Sequence, residues 1–386
     1  MLTPISNEPR DYSWGSRSLI AGLEGRTPTG APEAEIWYGD HPGCPSRTPD
    51  GRPLDVVLSE TGRPALPFLL KLLAAASSLS IQAHPTRAQA QEGFAREERA
   101  GIPRDASDRL YRDDNHKPEI IVALSAQFRA LVGLRPLAAT HRLLADLDDG
   151  GGEGAVAEIR ERLGAAVDGA EAEEALRRTL AWALGEADAA TIADVTFALE
   201  RADSAEFRDE IAVLRAAASD FPGDAGLIVA LLMNLVTLHR GEALFAPAGV
   251  LHAYQSGLGV ELMAASDNVM RGGLTPKHVD VPELMSVVDA APGPAPVIEP
   301  RELAPGVVAY DTPVDDFALL RVTVDGVAVQ TPVRAPAIAL CTAGAVVVSA
   351  SGAEATLAPG GAVHIDDEDA VTISGSGEVF LAQPGA

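Results

Sequence analysis

The change of texture at Leu137 constrains this chain more than any other feature. Before it, short apolar runs alternate with turns rich in Pro and Gly; from there to about Phe221 the chain is dense in Ala, Leu, Glu and Arg. Pro67-Phe-Leu-Leu-Lys-Leu-Leu73 and Ile120-Ile-Val-Ala-Leu124 read as buried strands. The charged segment from Glu92 to Arg112 reads as helix or loop. Residues 155–163 and 172–182 carry apolar side chains at helical spacing, punctuated by the Gly-rich stretch 148–154 and by Gly185-Glu-Ala-Asp188. Pro222-Gly-Asp224 is expected to open one more helix, with Asp224 as its N-cap. Strand spacing returns after Asn234, a Pro-rich linker spans 290–296, and alternating runs such as Ala318-Leu-Leu-Arg-Val-Thr-Val324 follow. The expectation is a mainly β protein with a helical insert: residues 1–136 with 222–289 as one β domain, 137–221 as an inserted α-helical domain, and 290–386 as a C-terminal β domain.

Composition narrows the class of partner. A formal net charge of −25 argues against nucleic acid and anionic membrane surfaces. The most apolar run, Leu227–Met233, is stopped by Asn234 and is too short to span a bilayer, and residues 1–8 lack the pattern of a signal peptide. Cys44 and Cys341 lie far apart without ligand spacing, which suits a reducing cytoplasm. Only three of the 30 basic side chains are lysines: Lys71, Lys117 and Lys277. Where arginine serves as the generic cation, the surviving lysines mark places where an ammonium is required.

Three stretches carry the chemistry: Ser80-Ile-Gln82-Ala-His84-Pro, Asp113-Asp-Asn-His116-Lys117-Pro-Glu119 and Pro247-Ala-Gly-Val-Leu-His252-Ala-Tyr254. Gln82, His84, Glu119 and His252 offer two imidazoles, a carboxylate and an amide oxygen, a set that suits a divalent metal of borderline hardness with open positions. Gln82 and His84 alternate, which puts both on one face of a strand. Glu119 alone would read as a surface partner of Lys117, and Trp14 and Trp37 as core aromatics. His41, His141, His239, His278 and His364 show no partner in the sequence and are expected to be structural or superficial, with no metal in the C-terminal domain.

The run from Gly241 to His252 resembles the second motif of the cupin jelly roll, in which a Gly turn and a Pro-x-Gly turn lead to a metal-ligating histidine. That motif usually ends in Asn; here the position is Ser256. The usual His-x-His of the first motif is replaced by Gln82-Ala-His84, and Glu119 arrives much later. This departure, together with Asn115-His-Lys-Pro-Glu119 and the run from Ala264 through Arg271-Gly-Gly and Lys277-His to Asp280, resembles the type I phosphomannose isomerases. Tyr12-Ser-Trp14-Gly and Glu35-Ile-Trp37-Tyr-Gly-Asp-His41-Pro resemble the same family, whose members often carry a proline where this chain has Ser77-Ser78. The resemblance implies a cupin jelly-roll catalytic domain, a cupin-like C-terminal domain, and one Zn2+ per chain held by Gln82, His84, Glu119 and His252. It implies a monomer acting in the cytoplasm on a small phosphorylated hexose, interconverting mannose 6-phosphate and fructose 6-phosphate through a cis-enediol. Arg271 would stabilise the enediolate, while Lys71, Ser80 and Lys277 would bind the phosphate with Trp14 beside the sugar. Lys117, His116, Asp267 and Glu261 remain open as proton-transfer groups. The competing readings are a metal-dependent cupin dioxygenase, which would favour two His and a carboxylate without an amide ligand, and a non-catalytic sugar-binding cupin.

Overall fold

A computed structural model describes residues 1–149 and 154–385. All eight residues of the strand Phe68–Ala75 are buried, which accounts for its unbroken apolar sequence. Its two faces do different work, because successive side chains point to opposite sides. Leu70, Leu72 and Ala74 join a core cluster behind the strand, while Leu73 and Ala75 join a second cluster in front of it. The same alternation runs through its neighbours. Ile120 and Val122 of Glu119–Ala123 face the rear cluster with Leu258, Val260 and Leu262 of His252–Ala264. Ile121, Ala123 and Tyr254 face the front. Lys71, Glu119 and Glu261 therefore share the front face, and period two alone carries them there.

The long strand His252–Ala264 organises this ten-stranded sheet. It pairs antiparallel with Phe68–Ala75 and Glu119–Ala123 through its second half, and with Gln127–Leu134 and Gln82 through its first. The two halves belong to opposing layers, so the strand must bend between them. It does so at Gly257, whose φ of 122° no side-chain-bearing residue adopts easily. A Cβ there would lie 2.8 Å from the Phe128 ring and 2.9 Å from the Phe128 Cα.

The helical region follows the expected texture: helices Ala155–Leu163, Gly169–Gly185, Ala189–Arg201 and Arg208–Asp220 bury Val156, Ile159, Leu176, Leu180, Val195, Leu199 and Leu214 in one cluster. Residues 150–153, within the Gly-rich break read at 148–154, lie outside the described residues. The helix near Asp224 forms over Gly226–Leu232, every residue of it buried. Its N-cap is Ala225 rather than Asp224, whose carboxylate accepts from Gly226 N of the helix and also from Leu274 N of a distant turn.

The C-terminal sheet has nine strands built around two of 14 residues, Ala337–Ala350 and Ala370–Gln383. Two segments cross the boundaries expected from sequence. Leu2–Ile5 pairs with Ala362–Ile365 in the C-terminal sheet, and Val297–Ile298 pairs with Ala243–Ala246 in the first sheet. Neither short strand has enough apolar residues to declare its sheet. The rear cluster is shared between the sheets, with Tyr310, Phe317, Leu340 and Phe380 packed against Leu70, Ile120 and Phe245. Tyr310 also donates its hydroxyl to the Gly241 carbonyl at 2.9 Å.

Candidate active site

Gln82 lies directly opposite His252 in the strand register, and Ala83 turns His84 to the same side as Gln82. His84 Nε2 lies 3.4 Å and His252 Nε2 2.9 Å from the two oxygens of Glu119. The candidate ligand atoms of this trio all fall within 4.8 Å of one another, and all three residues are buried. Each imidazole turns its Nδ1 to a main-chain carbonyl, His84 to Asn268 at 2.7 Å and His252 to Val250 at 3.0 Å. A carbonyl accepts only from N–H, so the proton sits on Nδ1 and the lone pair on Nε2. Both Nε2 atoms are buried and lack a hydrogen-bond donor. Burial first, and then Lys117, pushes the His84 ring down to about 4, which keeps it neutral. Burial would raise the Glu119 carboxyl, but Lys117 and the two histidines outweigh it and hold it well below the usual carboxylate range. Two imidazoles whose Nε2 atoms face an ionised carboxylate, each with its Nδ1 engaged by a main-chain carbonyl, suit a divalent metal. The Gln82 side chain lines the same cavity, with its amide nitrogen donating to Ser80 Oγ at 3.2 Å.

The cavity beside this trio has a volume of about 540 Å³, the size of a small ligand, and all three lysines line it. They differ in what surrounds them. Lys117 donates to Glu119 at 3.0 Å, and the Tyr254 hydroxyl donates to the other oxygen at 3.3 Å. Lys71 is buried between Glu261 at 2.9 Å and Glu35 at 3.6 Å. Burial opposes its charge, yet the two carboxylates prevail and raise its pKa, so it stays an ammonium. It is therefore committed to carboxylates and is not the free cation a phosphate would need. Burial dominates at Glu261 and raises its pKa despite Lys71.

Lys277 is the exposed lysine at the opening, close to Arg271 and Arg112. Burial and then repulsion by Arg112 lower the pKa of Arg271, and burial with repulsion by Arg271 and Arg112 lowers that of Lys277. Among the described residues no carboxylate pairs with either. Two cations without a paired carboxylate, beside Arg112 in a chain of net charge −25, make this opening suited to an anion. Arg271 stands opposite Gln82 in the register, hence on the side of the group nearest the His84–Glu119–His252 trio. Ser80 and Trp14 also line the cavity, Trp14 stacked on Tyr12 at 5.7 Å.

Two expectations need correction. His116 does not line the cavity; its Nε2 lies 2.7 Å from Asp316 of the C-terminal region and 2.8 Å from Arg87. It neighbours Lys117 in the segment leading into the strand Glu119–Ala123, where adjacent side chains point apart. His41 does have a partner, Asp267, at 3.1 Å. Asp267 lines the cavity, and its bond to His41 holds its carboxyl low. Sequence reasoning missed Arg112, Glu35 and Tyr254, although each stands inside or beside a quoted stretch.

Comparison with known proteins agrees with this geometry. Residues 2–137 match the family described as phosphomannose isomerase type I, catalytic domain. The chain is 35% identical to mannose-6-phosphate isomerase of Salmonella typhimurium, over 98% of each chain. It is 30% identical to the Bos taurus enzyme of the same name, over 96% of this chain and 94% of that one. A zinc-bound mannose 6-phosphate isomerase structure superposes with a TM-score of 0.86 at 32% identity, covering all of both chains. Another, bound with zinc and yttrium, superposes equally well at 31% identity. The two antiparallel sheets thus form the cupin-type architecture expected, and the chain belongs to the type I phosphomannose isomerases, a family of aldose–ketose isomerases.

Proposed function

We propose that this chain interconverts mannose 6-phosphate and fructose 6-phosphate with one zinc ion held by Gln82, His84, Glu119 and His252. The observation that carries the reading is the pair of unpartnered Nε2 atoms facing Glu119, which with His252 lines a cavity whose opening holds Arg271 and Lys277. Both named relatives carry this activity in their names, and zinc is bound in two similar structures. When bound, zinc would supply Lewis acidity toward the sugar oxygens.

The chain's own residues account for the rest. A base takes the C2 proton of the open-chain aldose while the C1 oxygen gains a proton, giving a cis-enediol. Return of a proton to C1 and loss of the O2 proton give the ketose. Glu261 suits the base better than Asp267, because burial raises one carboxyl while His41 holds the other low. Lys117, beside Glu119, is placed to move protons among the sugar oxygens. Arg271 faces the charge that develops on the enediolate, and Lys277 with Ser80 receives the phosphate.

The test is incubation of the zinc-loaded protein with mannose 6-phosphate under nitrogen. Fructose 6-phosphate should accumulate to equilibrium. Absence of turnover, or a requirement for dioxygen, would reject the proposal and return the dioxygenase or the non-catalytic sugar-binding reading.

A further inference from the structure

Asp224 stands where the helical region returns to the catalytic sheet, outside the cavity, and its carboxylate takes three main-chain amides. Oδ1 accepts from Gly226 N at 2.7 Å and Leu274 N at 3.0 Å; Oδ2 accepts from Thr275 N at 3.0 Å. Two of these amides belong to the turn between Arg271 and Lys277. That turn is strained: Leu274 has a φ of 52°, a region that branched residues seldom occupy, while its side chain is fully buried. The neighbouring Gly273 packs so closely that a Cβ on it would sit 2.3 Å from the Gly226 Cα. The same turn is tied to the metal-side strand, since Gly272 N donates to the Ile81 carbonyl at 2.8 Å and Ile81 N to the Gly273 carbonyl at 3.0 Å. Ile81 stands between Ser80 and Gln82.

We propose that Asp224 is a positioning residue for the sugar phosphate: it holds the 273–275 turn so that Lys277, which follows it, stays aimed at the phosphate. The inference rests on the phosphate role given to Lys277 above. A turn with a left-handed leucine relaxes unless its amides are fixed, and Lys277, repelled by Arg271 and Arg112, moves away when it does. A carboxylate bonded to this turn opposes phosphate by charge alone, so removing it without loss of position would tighten phosphate binding. The positioning role predicts the opposite sign.

The experiment compares Asp224→Ala, Asp224→Asn and Lys277→Gln as zinc-loaded enzymes. It measures kcat, KM for mannose 6-phosphate, zinc content and competitive inhibition by inorganic phosphate. Asp224→Ala should raise KM and the phosphate inhibition constant about tenfold, with kcat within about threefold and zinc unchanged. Asp224→Asn keeps an oxygen for Gly226 and Leu274 but loses the acceptor for Thr275, so it should fall between the wild type and Ala. It also keeps the test open if the Ala variant fails to fold. Unchanged or tighter phosphate inhibition in both Asp224 variants, with Lys277→Gln weakened, would overturn the positioning role and leave the phosphate reading standing. Unchanged inhibition in Lys277→Gln would overturn both. Loss of zinc with a fall in kcat would also overturn it, by placing the effect at the metal.

Discussion

Two main-chain carbonyls decide what the histidines can do. By fixing the Nδ1 protons, the carbonyls of Asn268 and Val250 leave both Nε2 atoms as acceptors in a buried site. The metal-free protein should feel this as acid sensitivity. The His84 pKa falls from 6.5 in the open chain to about 4 in the fold. Between these values the unfolded chain binds the extra proton and the folded one does not. Its stabilising contribution is thus whole above about pH 6.5 and lost as pH falls toward about 4, a change of about 3 kcal/mol. Urea unfolding with chelator should show that decline, and His84→Gln should flatten it; equal slopes in the two proteins would contradict the assignment. Arg271→Ala should lower kcat by about 10²–10³ with little change in KM or zinc content. An effect on KM alone would reassign Arg271 to phosphate. The clustering of His84, Glu119 and His252 was legible from sequence because each sits in a motif whose turns orient it. The partners of Lys71 were not, because Glu35 and Glu261 reach it only through strand register.

At the scale of elements, alternation in three strands carries the site. Lys71, Glu119 and Glu261 face inward because each occupies the front phase of a strand whose other phase packs the rear core. Apolar runs without polar alternation hid that phase in the sequence, since both faces are buried. The bend that brings His252 over Glu119 depends on Gly257. Gly257→Ala should destabilise the fold by about 2–4 kcal/mol, through strain at positive φ and collision with Phe128. Chemical denaturation measures it; a change under about 0.5 kcal/mol would mean the strand bends without the glycine. The misplaced cap at Asp224 has a related lesson. Its local signal was that of a helix start, and its side chain does take the Gly226 amide of the helix, but it is shared with a turn fifty residues downstream.

Across the whole molecule, the two sheets share one apolar cluster, and the chain threads both. Leu2–Ile5 is an element of the C-terminal sheet, and Val297–Ile298 of the first. The sequence showed two β regions around a helical insert, yet edge strands this short carry too little pattern to reveal exchange between sheets. The consequence is mechanical coupling. Phe380, from the C-terminal sheet, is fully buried among residues of both. Phe380→Ala should cost about 3–5 kcal/mol and lower the unfolding midpoint of both sheets together. Calorimetry showing two independent transitions would contradict the shared core. His116 and Arg87, meeting Asp316, add a polar contact between the C-terminal region and the edge of the site.

The central claim is that one ion at His84, Glu119 and His252 makes this chain an isomerase. Titration of metal-stripped protein with zinc, following turnover of mannose 6-phosphate and bound zinc in the same sample, tests it most directly. Activity should rise linearly and level off at one zinc per chain, and Glu119→Gln should show neither tight binding nor turnover. Full turnover by stripped protein, or by Glu119→Gln without bound zinc, would contradict the claim.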